Sequence, residues 1–194
     1  MIRTRSELLI YLKEDFKRNG YSYSFRGGVR RWLLDICGVE NASALGYLIL
    51  LRKCEFYSNK RTNVFTKILF LYYKVRYTRL GKKLNIRIPL NTVGYGLRIH
   101  HIAGGGGCVL NCKRMGNYCG VNAGVLLGNN KERFDIPTIG DNVMLNAGCK
   151  VFGNITIGNN ANIGAGAVVT KDVPEGGVAV GVPAKVIKII NPLT

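Results

Sequence analysis

Two adjacent histidines, His100 and His101, are the only histidines in this 194-residue sequence, and imidazole is the side chain best suited to exchange a proton near neutral pH. Four consecutive glycines follow, Gly104–Gly107, and such a run allows a ligand or a neighbouring subunit to approach the backbone closely. These residues could supply a general base beside a bound substrate. The alternative is a pair of surface or core histidines next to a flexible bulge that has no function.

The part of the chain that must position these histidines is repetitive. An aliphatic residue returns every six positions, usually followed by Gly or Asn, at Ile139, Leu145, Val151, Ile157, Ile163 and Val169. A helix needs a period near 3.6 and a plain strand a period of 2, so the six-residue period predicts a parallel β-helix in which each hexad forms one flat face. The aliphatic residues point into a narrow core, and Gly and Asn turn the corners.

The six-residue phase continues upstream of Ile139. It includes Val109, Met115, Val121 and Leu127, and Val93 and Ile99 are again six residues apart before the histidine and glycine segment interrupts the repeat. Two hexads separate Leu127 from Ile139, so the segment Gly128–Thr138 can leave the coil as a protruding loop and return in register. This loop is charged and either borders a site or is simply solvated; its charged residues are Lys131, Glu132, Arg133 and Asp135.

The first 85 residues have a different pattern. They predict four helices, over Thr4–Arg18, Val29–Gly38, Ala42–Cys54 and Val64–Leu80. Gly81 is expected to end the last helix. The sequence therefore divides into a helical region, residues 1–85, and a coil, residues 86–190. The last helix is either a packing helix with a solvated basic face or an interfacial helix on lipid headgroups.

The net charge of +17 is concentrated in the helical region, which has 18 Lys and Arg against 6 Asp and Glu, whereas residues 86–194 have 10 against 5. A basic surface favours an anionic partner, such as a membrane surface or a phosphorylated substrate. A face that only keeps the protein soluble explains the charge as well. Nucleic acid is not expected as a partner, since no nucleic-acid-binding motif accompanies the charge.

Several classes of site and location are disfavoured. The six cysteines form no Cys-x-x-Cys pair, so no metal site is expected, and reduced thiols that fill core spaces are expected instead. The polar start Met1-Ile2-Arg3 does not look like a signal segment, which predicts a cytoplasmic protein. The longest apolar run, Ala44–Leu51, is shorter than the roughly 20 residues that span a bilayer, although peripheral contact with the inner face of the membrane stays open.

The hexads that end in Ile163–Val169, followed by Val173-Pro174 and by Gly181–Lys185, resemble those of the hexapeptide-repeat acyltransferases. The resemblance covers residues 86–189. It implies an α + β protein in which a left-handed β-helix follows a helical region, a homotrimer, and acetyl-CoA as the acyl donor.

Within this resemblance, Gly96–Asn111 is similar to the segment that bears the catalytic histidine in serine acetyltransferases and sugar O-acetyltransferases. By that match His101 takes the catalytic position, and His100 stands where serine acetyltransferases have Asp. The resemblance implies that His101 deprotonates the acceptor hydroxyl, which attacks the thioester carbon directly. Backbone N–H groups near Gly104–Gly107 could stabilise the oxyanion.

The resemblance also implies a site for coenzyme A in the groove between neighbouring coils. Small corner residues would admit the pantetheine arm and lysines would suit the phosphates. The matching positions are Ala147, Gly148, Ala165, Gly166, Lys171 and Lys185. For each residue alone, the alternative is ordinary corner geometry.

Departures from the serine acetyltransferase pattern favour another acceptor. Ile86 stands where that family has an Asp, Ile136 stands where it has a second His, and the chain ends in Asn191–Thr194 without the family's final Ile. The helical region is also shorter. The expected function is therefore O-acetylation of a sugar in capsule or exopolysaccharide biosynthesis. The alternatives are a serine O-acetyltransferase of cysteine biosynthesis and, from another class, a non-catalytic β-helix scaffold. A metal enzyme of the carbonic-anhydrase type is not expected, because such an enzyme needs several histidine ligands and this sequence has only two histidines.

Overall fold

A computed structural model of the chain describes residues 1–60, 62–102, 106–130, 132 and 134–190. The chain begins with four helices, α1 (Arg5–Arg18), α2 (Phe25–Ile36), α3 (Glu40–Asn59) and α4 (Val64–Leu84). The side chains of Thr4, Ser24 and Asn63 each accept a hydrogen bond from a first-turn N–H and so cap α1, α2 and α4. The other three helices all pack against α3.

The largest differences between the predicted and the observed helix boundaries occur in α2, α3 and α4. α2 starts at Phe25 because Ser24 caps it, and α3 continues to Asn59, beyond the predicted end at Cys54. Gly81 does not end α4. A Cβ at this position would lie 2.8 Å from the Ile86 carbonyl oxygen and 3.1 Å from the Tyr47 ring, so glycine is needed for close packing rather than for termination. α4 ends after Leu84, where Asn85 adopts a left-handed conformation with φ of 55°.

Three sheets of short strands form the sides of the coil that follows. The first sheet stacks β1 (Ile86–Arg87), β3 (Cys108–Leu110), β6 (Leu126–Gly128), β9 (Lys150–Phe152) and β12 (Val168–Val169). The second sheet stacks β4 (Arg114–Met115), β7 (Thr138–Ile139) and β10 (Thr156–Ile157). The third sheet stacks β2 (Arg98–Ile99), β5 (Gly120–Val121), β8 (Met144–Leu145), β11 (Asn162–Ile163), β13 (Gly177–Gly181) and β14 (Ala184–Ile189). The strands of the coil pair in parallel, and β14 turns back antiparallel on β13. The predicted helical region followed by a parallel β-helix is confirmed.

The aliphatic residue of each hexad points into the coil and stacks on its counterpart one turn away. The stacked residues are buried; they include Leu127, Val151 and Val169 in the first sheet, Met115, Ile139 and Ile157 in the second, and Val121, Leu145 and Ile163 in the third. The prediction is wrong by one residue at Val109, which is half-buried, because Leu110 is the residue that pairs with Leu127. The register shifts there since eight residues separate β2 from β3, whereas four separate β8 from β9.

The corner between the second and third sheets is filled by side chains. This asparagine corner consists of Tyr95-Gly96, Asn117-Tyr118, Asp141-Asn142, Asn159-Asn160 and Glu175-Gly176. The second residue of each pair has a φ between 54° and 69°. The Asn142 amide donates to the Asn160 side-chain oxygen at 2.8 Å, and the Asp141 carboxylate accepts from the Asn117 N–H at 2.6 Å. Side-chain hydrogen bonds therefore tie successive turns together at this corner.

A buried ion cluster holds the helical region on the first turn of the coil. Arg52 is fully buried, and its guanidinium lies 2.8 Å from a carboxylate oxygen of Asp15 and 3.2 Å from one of Glu55. The same guanidinium donates to the backbone carbonyls of Val93, at 2.9 Å, and Gly94. Burial alone would raise the pKa of both carboxyl groups, and Arg52 opposes that rise. Charges removed from water are tolerated here because each has charged and hydrogen-bonded partners.

Helix α1 covers the asparagine corner next to this cluster. The Gly96 N–H donates to the second carboxylate oxygen of Asp15 at 2.7 Å. The Tyr118 hydroxyl donates to Glu14 at 3.1 Å, and Arg18 donates to the Tyr118 carbonyl at 3.4 Å. The first two turns of this corner are therefore closed both by their own side chains and by a helix.

The hydrophobic core runs without a break from the helices into the coil. Leu48 and Leu51 of α3 and Tyr77 of α4 belong to the same buried cluster as Ile88 and Ile99. The two regions therefore share their core. The division of the chain into separate domains, residues 1–85 and 86–190, stays a prediction.

Five of the six cysteines are buried, Cys37 is exposed, and no disulfide joins them. Burial raises the pKa of the Cys108 and Cys112 thiols to about 12, so these side chains act as packing residues. Among the described residues, no helix taken alone has the length and apolar composition to cross a bilayer; α2 and α3 reach that threshold only when counted together across a bend of 119°.

Candidate active site

The two histidines lie directly after β2, where the third sheet passes to the first. The His100 N–H donates to the Val121 carbonyl at 2.8 Å, so this residue still follows the sheet, and its side chain is half-buried. His101 has a φ of 55°, which is uncommon for a residue with a Cβ, and its side chain is exposed. The backbone thus turns out of the coil at His101 and presents this imidazole on the surface, 6.0 Å from the His100 ring between centroids.

Positive charges surround the histidine pair. Burial lowers the pKa of His100, and the charges of Arg98, His101 and Arg18 lower it further. Arg98 lies in β2, and its Nε is buried without a hydrogen-bond partner within the described part of the chain. Burial and the neighbouring positive charges therefore favour the neutral form of His100, and its surroundings suit a bound group that carries negative charge.

A carboxylate from the helical region reaches the histidine segment. Glu40, in the first turn of α3, accepts a hydrogen bond from the Ile102 N–H, directly after His101. Its charge also opposes the lowering of the His100 pKa. Glu40 was not among the site residues predicted from the sequence. The available signal was an acidic residue at the start of a helix whose N-cap, Val39, makes no side-chain capping bond.

The chain returns to the coil through Gly106 and Gly107. A Cβ at Gly107 would overlap the Asn85 carbonyl, and one at Gly106 would lie 2.7 Å from the Cβ of Ala123. Here the predicted close backbone approach is made by the protein itself, because glycine lets the returning segment pack against the end of α4 and the next turn of the coil. Gly104 and Gly105 lie outside the described residues, so the oxyanion role of the glycine run stays a prediction.

Beyond the histidine segment, the corner between the third and first sheets is bare backbone. This glycine corner consists of Gly106, Ala123-Gly124, Ala147-Gly148 and Ala165-Gly166. The N–H groups of Gly148 and Gly166 donate to the carbonyls of Ala123, at 2.9 Å, and Ala147, at 2.8 Å. Gly124 donates in the same way to Gly107 at 2.7 Å. The structure therefore places Ala147, Gly148, Ala165 and Gly166 in one line with the segment that carries His101.

The two predicted donor-site lysines lie in different places. Lys171 follows β12 at the corner between the first and second sheets, so the structure does not bring it to the glycine corner of its own chain. Lys185 lies in β14 opposite Val180, and Val180 packs over Gly164 at the start of the last turn of the glycine corner. Lys185 thus stands beyond the end of the glycine corner, and the roles of both lysines stay predictions.

The protruding loop leaves the coil at the corner that holds Lys171. It connects β6 to β7, and Asp135 within it accepts a hydrogen bond from the Asn154 N–H. Lys131 and Arg133 lie outside the described residues. In one chain the described part of the loop and the histidine segment therefore lie at different corners.

The two isoleucines that depart from the family pattern carry no polar group. Ile86 is a buried residue of β1, paired with Cys108, so it cannot orient an imidazole. Ile136 is half-buried before the returning strand β7. Within the ranges that the structure describes, no three His, Cys, Asp or Glu side chains come together as a metal site.

Comparisons with known proteins identify the repeat. The family model described as bacterial transferase hexapeptide (six repeats) matches residues 136–171. The serine acetyltransferase of Synechococcus elongatus is 42% identical over 101 residues, which are 51% of this chain and 41% of that protein. Over about half of its length the chain is similar to serine acetyltransferases, and residues 136–171 match the hexapeptide repeat. It spans less than half the length of this curated relative.

Solved structures extend the similarity into the helices. The crystal structure of the Neisseria gonorrhoeae serine acetyltransferase matches with a TM-score of 0.65 and 28% identity, covering 96% of this chain and 67% of that one. A serine acetyltransferase solved in complex with CoA has the same fold, with a TM-score of 0.59 and 22% identity over 94% of this chain and 71% of that one.

These comparisons correct the expected acceptor. The expectation of a sugar in polysaccharide biosynthesis is wrong, because the relatives are serine acetyltransferases. It was based on Ile86, Ile136, the chain end Asn191–Thr194, which lies outside the described residues, and a short helical region. The first two are local changes, and 96% coverage by the Neisseria structure means that the helical region is shared as well as the coil.

Proposed function

We propose that this chain is a serine O-acetyltransferase that transfers acetyl from acetyl-CoA to the hydroxyl of L-serine. The observation that carries the proposal is the position of His101, an exposed imidazole on the same corner as a line of bare backbone. The serine acetyltransferases to which the chain is similar supply the reaction, and the CoA complex of one of them supports the donor.

The proposed reaction needs one group that accepts and then returns a proton. His101 takes the proton of the serine hydroxyl, and the hydroxyl oxygen attacks the thioester carbonyl carbon. The bond from that carbon to sulfur breaks, and the sulfur of CoA leaves with the proton held by His101. The products are O-acetylserine and CoA, and no metal takes part.

The charge around the histidines supports serine over a neutral sugar as acceptor. Arg98 and Arg18 place positive charge beside His100, and a buried Nε of Arg98 has no partner in the described part of the protein. L-serine carries a carboxylate that such cations could hold, whereas most sugars do not.

Ile86 stands where serine acetyltransferases have an Asp, so the carboxylate of that Asp is missing from this site. Glu40 fulfils a different role from an acid hydrogen-bonded to the imidazole, since it holds the backbone at Ile102. We assign it as a positioning residue that fixes the direction in which His101 leaves the coil.

The assembly proposed for this reaction is a homotrimer in the cytoplasm, where acetyl-CoA is available. The glycine corner and His101 form only one exposed wall in a single chain. A neighbouring coil would supply the second wall of a cleft, and Lys171 of that neighbour would be free to reach the donor phosphates from another corner.

The test is an acceptor screen that follows CoA release from acetyl-CoA. L-serine is compared with nucleotide sugars and oligosaccharides, for the unaltered protein and for His101→Ala. We expect turnover with serine, and we expect His101→Ala to lose about 10²–10⁴-fold in kcat because this variant lacks the proposed general base. Sedimentation velocity checks that the oligomer survives the substitution.

His100→Gln is the matched control, because it changes the neighbouring imidazole and leaves His101 in place. It should reduce kcat far less than His101→Ala. Acetylation of a sugar without turnover of serine, or full activity of His101→Ala as a non-catalytic scaffold would predict, contradicts the proposal.

A further inference from the structure

Helix α4 is apolar on its outward face as well as on its core-facing side. Its core-facing residues include Tyr77 and Gly81, which are buried against α3 and the start of the coil. The outward residues are between 41% and 71% exposed and recur at helical spacing; they are Val64, Phe65, Ile68, Leu71, Tyr72 and Val75. A helix that only packs on a core needs one apolar face, so the second face is available for another surface.

The same outward face becomes basic toward the C-terminal end of the helix. Arg76, Arg79, Lys82 and Lys83 are all exposed there. No Asp or Glu occurs in the sequence between Glu55 and Glu132, so no acidic side chain of α4 offsets this charge. An apolar stripe next to a patch of one sign of charge is the pattern of helices that lie in the interface of a membrane.

The positive charge of the outward face of α4 favours a lipid surface over a second copy of this chain as its partner. Two copies meeting through α4 would bring two basic patches together. The chain has only 11 acidic residues against 28 basic ones, and Asp15 and Glu55 are already buried with Arg52. A bilayer that contains acidic phospholipid offers both an apolar layer and anionic headgroups.

We propose that the outward face of α4 binds the surface of an anionic phospholipid bilayer. The apolar residues from Val64 to Val75 lie at the boundary between headgroups and acyl chains, and the basic residues that follow contact the phosphates. This inference does not depend on acetyl transfer, because none of these residues belongs to the candidate active site.

The test is co-sedimentation of the full chain with vesicles. Vesicles of phosphatidylglycerol and phosphatidylcholine are compared with vesicles of phosphatidylcholine alone, at low and high salt. We expect binding to the anionic vesicles that weakens with salt, and little binding to the neutral ones. The double variant Phe65→Ser/Leu71→Ser should bind about tenfold or more weakly, because two exposed apolar side chains are lost from the interface.

The matched control removes equally exposed apolar side chains from a strand outside the basic helical region. The apolar residues of α2 are left unchanged, because α2 is itself an exposed basic helix. Ile187 and Ile189 of β14 are 61% and 58% exposed, and the variant Ile187→Ser/Ile189→Ser should bind within about twofold of the unaltered protein. Equal losses in the two variants would overturn the assignment to α4, as would equal binding to neutral vesicles. Sedimentation velocity without lipid is the third measurement: a smaller oligomer for the α4 variant alone would show that this face joins copies of the chain, which also overturns the proposal.

Discussion

The glycine corner and the asparagine corner turn the same coil through similar left-handed residues, yet they are built in opposite ways. At the asparagine corner, Asn142 bonds to Asn160, and α1 covers the first turns through Asp15 and Glu14. At the glycine corner, the turns are joined by backbone hydrogen bonds alone at Gly148 and Gly166, and the surface is left bare. The comparison suggests that one corner holds the fold and the other is kept open for a substrate.

The largest expected effect comes from breaking the covered corner. Arg52→Met leaves the Asp15 and Glu55 carboxylates buried without their partner, so the free energy of unfolding should fall by about 3–5 kcal/mol. Denaturant unfolding followed by circular dichroism measures this change.

The control is Arg31→Met on α2. Arg31 lies 3.6 Å from Asp35, and this ion pair is partly exposed, so its loss should cost about 1 kcal/mol or less. Similar losses for the two variants would mean that the buried cluster is not what holds the helices on the coil.

A smaller effect should distinguish the two corners, because a substitution at either corner should lower stability but only one at the glycine corner should change KM. Gly148→Ala and Asn142→Ala both place Ala at a φ of 69° or 54°, so each should lose about 1–2 kcal/mol of stability. Only Gly148→Ala adds a side chain to the bare corner, so only this variant should raise KM for acetyl-CoA, by about fivefold. Equal KM values for both variants would contradict the assignment of the glycine corner to the donor.

An effect of similar size should concern how the open corner is held. Glu40→Ala removes the acceptor of the Ile102 N–H and should lower kcat about tenfold with little change in KM, because His101 loses its fixed direction. Glu40→Gln keeps an acceptor oxygen and should stay within about threefold of the unaltered kcat. Both variants should lower the pKa of His100 measured by NMR, since both remove the charge that raises it. Equal kcat losses for the two variants would show that charge matters and positioning does not.

Local features of the sequence were enough to predict the architecture. The hexads from Ile139 to Val169 fix both the inward residues and the corners, because each hexad repeats the same local geometry. The four helices follow from periodicity and capping residues, and the glycine corner follows from small residues at the matching place in each hexad.

What could not be predicted depends on contacts between distant parts of the chain. In the sequence Arg52 is one of four charged residues of α3, and its partner Asp15 lies 37 residues away in α1. Gly81 was expected to end a helix, because its close packing against Tyr47 is not visible in the sequence. Glu40 is 62 residues from the Ile102 N–H that it accepts from, and the shift from Val109 to Leu110 follows from the length of the histidine segment.

The last strand, β14, has a consequence for how the protein behaves in solution. A stack of parallel strands ends in unpaired backbone groups, and such an edge can recruit further strands into fibrils. By folding back on β13, β14 occupies this edge of the third sheet and puts Lys185 and Lys188 on the new margin. Two like charges there oppose edge-to-edge growth, so these lysines would protect the protein from aggregation whether or not either one ever contacts coenzyme A.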